Sequence, residues 1–515
     1  MILWICLQSL AGLLMSLAHP VRFGSFVWEP GVLNFLLASL GLALFIKVSS
    51  MRRKKLTRFF LGFWGGFVFF GASLYWLVHA LLVYGEIHLL VSIFVSAGLW
   101  AYCALFLGLW ALIAGMSQVL QLGVIHRSLL WASLWAALGV TREYLFTGFG
   151  WGELGYFFAE WPLIGMSASI WGVHGLSFLW IFFVSIILHF DAWLPDRRAR
   201  LAIGGLSLLF VGLVLFSYFK DDTKEYSESI RVSLVQPNIP QEVKWNPAAA
   251  AENLRQLMRL TTEALEAEPD LIVWPETSYP FALGLSQRQL PFSSPKPLLF
   301  GGVVSDRGVI RNSAILAIRD QVIHRYDKVH LVPFGEYVPF EDILPFEKLV
   351  ANVGRFLPGE IDQDLVLLDD LRLGILICYE DIFVRHAVRH SRSGAQILVN
   401  LTNDAWYGES SALRQHENIA RLHAWTVGLP MIRSTNNGQT SVLSGRSRHA
   451  IPLFEEGVLT EVVAFPTDPQ LSFFARTYPM MQWIWFAVFA IGFLWRIRSK
   501  NRKIFFPESN NSARD

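Results

Sequence analysis

The sequence predicts a polytopic α-helical membrane domain joined to an α/β sandwich domain that lies outside the bilayer. Two observations support this fold class. The chain of 515 residues is 53% hydrophobic and only 16% charged, which is too apolar for a soluble protein of this length. Long apolar runs fill the first part of the chain, whereas short apolar runs alternate with amphipathic stretches after it. Such an alternation is typical of an α/β fold.

About eight apolar runs are predicted to cross the membrane, because each approaches the ~20 residues that the hydrocarbon core requires. The run 128–141 is the weakest, since it needs part of TREYLF to reach full length. None of the runs is expected to contain charged residues that would mark a solute path. The runs cover residues 3–19, 31–46, 59–83, 89–116, 128–141, 166–189, 201–219 and 481–495.

The loops richest in Lys and Arg predict the orientation of the chain, because such loops stay in the cytoplasm. Three of them, 47–58, 196–200 and 496–503, fall on one side if the chain starts inside and crosses eight times. The segment between the last two spans then lies outside the cytoplasm. The predicted organisation is a membrane domain of about seven spans, an extracytoplasmic domain, a last transmembrane helix and a basic, disordered cytoplasmic tail, at 1–219, 220–475, 476–498 and 499–515 respectively.

Six short apolar runs between residues 220 and 475 are predicted to be buried strands. Two longer stretches, 249–268 and 411–428, have the apolar spacing of amphipathic helices. Together they predict an α/β sandwich of roughly 250 residues. The strands are predicted at 230–236, 271–274, 298–304, 312–318, 373–378 and 396–402.

Three ionisable side chains follow or interrupt these apolar runs and form a candidate catalytic set. Glu276 follows LIVWP, Lys328 lies within YDKVHLVPF, and Cys378 ends GILIC. Thiolate is the nucleophilic form of cysteine, and we expect a helix that begins at Cys378 to lower the pKa of the thiol. A partly apolar site would let Glu276 act as general base. Lys328 and the N–H of Tyr379 would stabilise an oxyanion.

Each of these residues also has a structural interpretation. A lone cysteine such as Cys378 is often only a small buried apolar residue. Glu276 could be a cap at the end of a strand, and Lys328 could simply pair with Glu336. The presence of all three residue types in one domain favours the catalytic interpretation.

Several other classes of protein are not indicated. The three cysteines include Cys6 and Cys103, which lie in apolar runs, so the sequence has neither a disulfide framework nor zinc-ligand spacing. A net charge of +2 gives no indication of nucleic-acid binding. The predicted chemistry uses no metal and no other cofactor. Four histidines are interpreted as structural, namely His386, His390, His416 and His423.

The chain order of Glu276, Lys328 and Cys378 resembles that of the nitrilase (carbon–nitrogen hydrolase) superfamily, whose fold is an α-β-β-α sandwich. Five segments, set between many spans and one last span, resemble the bacterial apolipoprotein N-acyltransferases over essentially the whole chain. Two of them, DKVHLVPFGEYVP and CYED, are specific, whereas WPE is shared across the superfamily. The segments are VQPNIPQEVKW (235–245), WPET (274–277), YDKVHLVPFGEYVP (326–339), CYED (378–381) and NLTNDAWYG (400–408).

The resemblance implies a reaction in two steps that needs no cofactor. An acyl chain moves from a phospholipid, chiefly phosphatidylethanolamine, to Cys378 as a thioester. The N-terminal amine of the S-diacylglyceryl cysteine of an apolipoprotein then attacks this thioester. By motif match, Glu276 would be the base and Lys328 the oxyanion stabiliser. The resemblance also implies a multi-pass enzyme of the bacterial cytoplasmic (inner) membrane whose catalytic domain faces the periplasm, and we expect a monomer.

Five further residues match functional positions of the family. Glu336, in PFGEY, would support the lysine, and Tyr379 and Glu380 would support the nucleophile beside them. Trp245 and Trp151 match tryptophans of the substrate-binding regions. Two simpler interpretations remain open, because tryptophan is a common anchor at membrane interfaces and a common packing residue beside a sheet.

Two local features are also carried over from the resemblance. Gly150 stands where proline is common in the family segment TGFGWGELGY, which leaves the local backbone shape open. The segment 345–359 would form a mobile, apolar loop that touches lipid.

Two other functions remain open. A membrane-anchored amidase of the nitrilase type would use the same three residues but would hydrolyse its thioester with water. A membrane scaffold or transporter with an extracytoplasmic binding domain would keep its function after Cys378→Ala. The many spans favour acyl transfer, because both of its substrates are lipids.

Overall fold

The computed structural model describes the chain except for residues 24–25, 52, 86, 117–121, 221–225, 227, 338–355 and 506–515. In the described part of the N-terminal domain, seven helices have at least 15 residues. Each overlaps one of the seven apolar runs before residue 220, although the helix in the run 59–83 ends at Ser73. The helices are α1 (Ile2–Ser16), α2 (Val32–Ser50), α3 (Lys55–Ser73), α4 (Leu89–Ala114), α5 (Val124–Tyr144), α6 (Ala168–Leu188) and α7 (Arg197–Lys220).

Shorter elements connect these helices. A two-stranded hairpin follows α1, and its strands are β1 (Val21–Phe23) and β2 (Phe26–Trp28). Other connections contain short helical segments at Trp76–His79, Ala80–Tyr84, Leu154–Glu160, Pro162–Gly165 and Phe190–Trp193.

Five of the described helices are long and apolar enough to cross a membrane, namely α2, α3, α4, α6 and α7. Helix α1 is apolar but shorter, and so is the apolar part of the last helix, Met480–Leu494. Helix α5 is less apolar because it carries Arg127, Arg142 and Glu143, in agreement with the weakness of the predicted run 128–141. These helices are consistent with a multi-pass membrane protein.

Glycines allow the helices of the bundle to approach each other closely. A Cβ atom added to Gly12 of α1 would lie 2.5 Å from the carbonyl oxygen of Gly65 on α3. Gly62 of α3 contacts Ala111 of α4 in the same manner. Small residues at helix interfaces are a common means of packing in membranes, because they bring the backbones into van der Waals contact.

The prediction that the spans lack charged residues is wrong. Arg142 and Glu143 lie in the last turn of α5 and are buried. Arg142 pairs with Glu153 at 3.2 Å, and Glu143 pairs with His174 of α6 at 3.0 Å. The Ser177 hydroxyl donates to Glu153 at 2.6 Å. The error arose because TREYLF was interpreted as the edge of a span, whereas the helix continues into it as far as Tyr144.

Two sheets form the second domain. One has five strands in the order β13-β3-β4-β5-β6, and the other has six in the order β12-β11-β10-β9-β8-β7. The strands are β3 (Glu228–Gln236), β4 (Leu271–Val273), β5 (Gln289–Asp306), β6 (Val309–Asp327), β7 (Val366–Leu368), β8 (Leu371–Ile377), β9 (Ile397–Thr402), β10 (Met431–Thr435), β11 (Ser441–Ser444), β12 (Ser447–Ala450) and β13 (Gly457–Phe465).

The two sheets pack face to face with helices on their outer faces. Val232 and Leu234 of β3 point into the core between the sheets, together with Ile375 of β8, while Val235 points to the other face, as the alternation of side chains along a strand requires. Helix α8 (Ala250–Leu265) covers the five-stranded sheet, and α9 (Val384–Arg392) and α10 (Ala412–Val427) cover the six-stranded sheet. The predicted α-β-β-α sandwich is confirmed.

The last helix, α11 (Met480–Phe505), returns to the N-terminal domain. A short helix, Phe473–Thr477, leads into it. Trp485 of α11 packs against Ala136, Ala137 and Val140 of α5. The bundle therefore combines the helices that precede the α/β domain in the sequence with one helix that follows it.

Candidate active site

Three strands of the α/β domain end at the candidate site. Glu276 follows β4, Lys328 follows β6, and Cys378 follows β8 directly. Short apolar runs before Glu276 and Cys378 form buried strands, so the first polar side chains after them lie at the sheet edges. Strand β6 continues beyond the predicted 312–318 and ends at Asp327, directly before Lys328. The structure brings together the three side chains that the sequence singled out.

Lys328 lies between two carboxylates. Its Nζ is 3.1 Å from Glu276 Oε1 and 3.0 Å from Glu336 Oε1, and its side chain is only 1% exposed. Burial acts to lower the pKa of Lys328, but the negative charges of Glu276 and Glu336 outweigh it and raise the pKa above its ordinary value. The two carboxylates therefore favour the charged form of Lys328.

Asn312 on β6 links the same two carboxylates and was not predicted. Its Nδ2 donates to Glu276 Oε1 at 2.8 Å and to Glu336 Oε1 at 2.9 Å, while its main-chain oxygen accepts from the main-chain N–H of Lys328 at 2.8 Å. The two carboxylates thus face both an ammonium and an amide. Nothing in the local sequence RNSAIL marks Asn312, because its partners lie in other segments.

Cys378 adopts a left-handed backbone conformation, with φ of 50°. A residue other than glycine rarely takes this conformation, and such residues are enriched at functional sites. The residue begins a short 3₁₀ turn, Cys378–Ile382, rather than an α-helix. Burial and the charge of Glu276 raise the pKa of the Cys378 thiol well above its ordinary value, and Lys328 only opposes this. The expectation of a lowered thiol pKa is therefore wrong.

Glu380 connects the turn that carries the thiol to the segment that carries the lysine. Its Oε1 accepts from the main-chain N–H groups of Val329 at 2.6 Å and His330 at 3.1 Å, and its Oε2 accepts from the N–H of Ile377 at 2.7 Å. Burial raises the pKa of Glu380 to about 7, although these N–H donors act to lower it. The carboxylate holds the residue before Cys378 against those after Lys328.

The side chain of Tyr379 reaches the helical domain. Its ring lies against Phe383 and His330, and its hydroxyl donates to the carbonyl oxygen of Gly148 at 3.5 Å. A Cβ atom at Gly150 would lie 2.5 Å from the carbonyl oxygen of Ile382. The segment 147–152 therefore runs directly against the turn that carries the thiol, and only glycine fits at this approach.

The two tryptophans of the predicted substrate regions have different environments. Trp151 is buried, its Nε1 donates to Gln415 Oε1 at 2.8 Å, and its ring packs on Trp76 and Tyr407. Trp245 is 51% exposed. The predicted lipid-contacting loop 345–359 lies mostly outside the described residues.

A second buried charge cluster lies behind the turn and was not predicted. His416 of α10 contacts Asp381 at 2.6 Å and Asp404 at 2.7 Å, and Arg433 contacts Asp404 at 2.7 Å. Burial acts to lower the pKa of His416, but Asp381 and Asp404 raise it to about 9. His416 is thus an imidazolium that joins the CYED turn to the loop after β9, which agrees with its interpretation as structural.

No group of three or more His, Cys, Asp and Glu side chains within the described part of the chain has the arrangement of a metal site.

Two family models match the chain. The carbon-nitrogen hydrolase model matches residues 231–460, and the model of the apolipoprotein N-acyltransferase N-terminal domain matches residues 11–186. Among similar proteins, the apolipoprotein N-acyltransferase of Geobacter metallireducens is 33% identical over 499 residues, which cover 92% of this chain and 91% of that protein. The apolipoprotein N-acyltransferase of Allorhizobium ampelinum is 35% identical over 439 residues, which cover 80% and 81%. These matches extend across both domains, and the chain belongs to the apolipoprotein N-acyltransferase family.

Proposed function

We propose that this chain transfers an acyl chain from a phospholipid to the N-terminal amine of the S-diacylglyceryl cysteine of apolipoproteins, through a thioester on Cys378. The observation that carries the proposal is the Glu276–Lys328–Glu336 cluster, which lies beside a buried thiol. A nucleophile, a base and an oxyanion stabiliser within one pocket are the groups that acyl transfer requires.

The first step forms the acyl-enzyme. Glu276 takes the proton from the Cys378 thiol, and the thiolate attacks the ester carbonyl carbon of the phospholipid. Lys328 donates two of its three N–H groups to carboxylates, and the third is left for the oxyanion, together with the main-chain N–H of Tyr379. When the C–O bond breaks, Glu276 returns the proton to the glycerol oxygen, and a lysophospholipid leaves.

The second step forms the amide. The neutral N-terminal amine of the acceptor attacks the thioester carbonyl carbon, and Glu276 accepts a proton from the nitrogen. The C–S bond then breaks, and the proton returns to the sulfur of Cys378. The enzyme is regenerated without any cofactor, and the two steps predict ping-pong kinetics.

The remaining predicted residues have supporting roles in this proposal. Glu336 keeps Lys328 charged, Glu380 fixes the turn around Cys378, and Tyr379 anchors that turn against the helical domain. Trp245, which is half-exposed, is proposed to contact substrate. Trp151 is buried, so we propose that it positions the site through Gln415 rather than contacting lipid in the resting state.

The helical domain suits substrates that are both lipids. We propose that the helices place the site at the surface of the bacterial cytoplasmic membrane, on its periplasmic side, and that the enzyme works as a monomer. An amidase that acts on soluble substrates would have no need of these helices.

Intact-protein mass spectrometry after incubation with phosphatidylethanolamine tests the proposal. We expect the mass to rise by one acyl chain in the wild type and not in Cys378→Ser, and neutral hydroxylamine should remove the added mass. A diacylglyceryl-cysteine peptide should then take up the acyl chain as an amide. Release of free fatty acid without transfer to the peptide would favour the amidase, and no adduct at all would contradict the phospholipid donor.

A further inference from the structure

One charged residue near the candidate site has no part in the mechanism above. Lys244 ends the short helix Gln241–Lys244 and precedes Trp245. Its side chain is buried, with 8% exposed, and its Nζ donates to the main-chain oxygen of Glu276 at 2.9 Å. The ammonium group therefore contacts the residue whose carboxylate pairs with Lys328.

The segment that carries Lys244 is fixed to the six-stranded sheet. Gln241 Oε1 accepts from Asn403 Nδ2 at 2.8 Å, and Asn436 Oδ1 accepts from the N–H of Ile239 at 3.0 Å. Both partners belong to loops that follow strands β9 and β10 at the same edge as Cys378. These bonds hold the short helix in place, so Lys244 keeps its position beside Glu276.

Lys244 is a buried cation without an ion pair among the described residues. An ammonium group has three N–H donors, and one of them is used by the Glu276 carbonyl oxygen. Burial lowers the pKa of Lys244 to about 8, and the charges of Glu276 and Cys378 oppose this lowering. Burial of the positive charge of Lys244 therefore has a cost in solvation. The negative charges that reduce this cost belong to Glu276, the proposed base, and to the thiolate form of Cys378, the proposed nucleophile.

We propose that Lys244 is a positioning residue of the site, which holds the main chain of Glu276 and whose positive charge favours the thiolate form of Cys378. The inference rests on the proposed function, because it takes Cys378 as the nucleophile. Lys244 forms no covalent bond and transfers no proton in this role. The thiol proton moves to the Glu276 carboxylate, and the ammonium compensates part of the cost of a buried thiolate.

The rate at which iodoacetamide alkylates Cys378, measured as a function of pH, tests this role. The full-length protein is used in detergent, and peptide mass spectrometry separates Cys378 from Cys6 and Cys103. Lys244→Met removes the charge and the donor, Lys244→Gln removes the charge and keeps a donor, and Lys244→Arg keeps both. Lys296→Met, in strand β5, is the control for loss of a lysine elsewhere.

We expect Lys244→Met and Lys244→Gln to slow alkylation of Cys378 by about tenfold at pH ~7, where Lys244 is still charged, and to leave the rate unchanged at a pH well above about 8, where Lys244 is neutral. Lys296→Met should keep the wild-type profile, and Lys244→Arg should keep the wild-type rate at pH ~7. An unchanged profile in both Lys244→Met and Lys244→Gln would overturn the proposal. If Lys244→Met unfolds, the comparison of Lys244→Gln with Lys244→Arg decides, and equal profiles count against the role.

The failure of this inference is distinguishable from failure of the proposed function. Acylation of wild-type Cys378 by phosphatidylethanolamine is measured on the same preparations. Absence of the acyl adduct contradicts the proposed function, whereas a normal adduct with an unchanged thiol profile in the variants contradicts only the role of Lys244.

Discussion

Lys328 is the residue on which the two acidic side chains of the site converge. Lys328→Met would remove the proposed oxyanion donor and leave Glu276 and Glu336 buried without their cation. We expect acyl-enzyme formation to fall by about 10²–10³-fold, as for the loss of one oxyanion donor. Stability should also fall, by roughly 3–5 kcal/mol, because a broken buried ion pair leaves charge uncompensated. Intact mass and thermal unfolding measure the two effects.

The double variant Lys328→Met with Glu336→Gln separates these effects. Removal of one carboxylate should restore part of the stability, since a single acidic group remains, yet acyl-enzyme formation should stay low. Wild-type rates of acylation in Lys328→Met would show that the lysine has only a structural role.

His416 should make the stability of the protein depend on pH. Its pKa in the fold is about 9, above the ~6.5 of an unfolded histidine, so its stabilising contribution is complete below pH 6.5 and is lost as the pH rises through about 9. We expect the melting temperature of the wild type to fall over this range relative to that of His416→Gln.

His449→Gln is the matched control, because His449 also pairs with a carboxylate, Glu461, but is 52% exposed. Its pH profile should follow that of the wild type. If His416→Gln and the wild type lose stability in parallel between pH 6.5 and 9, the imidazolium assignment is wrong.

The sequence predicted which residues meet at the site better than it predicted their protonation. Glu276 and Cys378 follow predicted strands, so their convergence could be inferred, whereas Lys328 was singled out only as a charge amid apolar residues. The direction of the thiol pKa could not, because it depends on how deeply Cys378 is buried and on how short the following turn is. Asn312 was missed because it contacts Glu276 from a distant segment that no local pattern marks. Lys244 lies in the segment VQPNIPQEVKW, but its contact with the main chain of Glu276 could not be inferred from that segment.

Close packing between α1 and α3 provides a test at the level of elements. Gly12→Val would place a side chain against the carbonyl oxygen of Gly65, where an added Cβ has only 2.5 Å. We expect the free energy of unfolding to fall by about 1–3 kcal/mol, the usual cost of overpacking. Thermal unfolding in detergent measures the change.

Gly98→Val on α4 is the control for this substitution, because a Cβ at Gly98 meets nothing within 4 Å. It should leave the melting temperature close to that of the wild type. Equal losses in both variants would mean that the effect comes from the helices themselves rather than from their contact.

Apolar periodicity predicted the bounds of an element well where one whole face of that element is buried. The predicted strand 230–236 and the predicted helix 411–428 differ from β3 and α10 by one or two residues. Helix α5 was harder to delimit, because its last turn buries Arg142 and Glu143 in ion pairs with residues that follow later in the chain. Charged residues in a sequence usually indicate that a span has ended. Here they do not, because Arg142 and Glu143 are paired and buried within the helix.

At the level of the whole molecule, Gln415 joins the two domains. Its Oε1 accepts from Nε1 of both Trp151 and Trp76, and its Nε2 donates to the carbonyl oxygen of Ser73. Gln415→Leu would leave two buried indole N–H groups unsatisfied. We expect stability to fall by about 1–3 kcal/mol, and transfer from membrane phospholipid to fall as well, because His416 is the next residue.

Gln470→Leu, at an exposed position, controls for the loss of a glutamine side chain. The measurements are thermal unfolding and the initial rate of acyl-enzyme formation. A Gln415→Leu variant that melts and acylates like the wild type would mean that the contact between the domains does not depend on this side chain.

The position of α11 has a consequence for how the molecule is assembled. Trp485 of α11 packs against α5, although about 340 residues separate the two contact regions in the chain. A chain made from its N-terminus exposes the partner face on α5 during the whole synthesis of the α/β domain. In this order of synthesis, α11 is the last helix to reach the bundle. A chain that stops before α11 therefore leaves the surface of α5 around Ala136, Ala137 and Val140 without the cover that Trp485 provides.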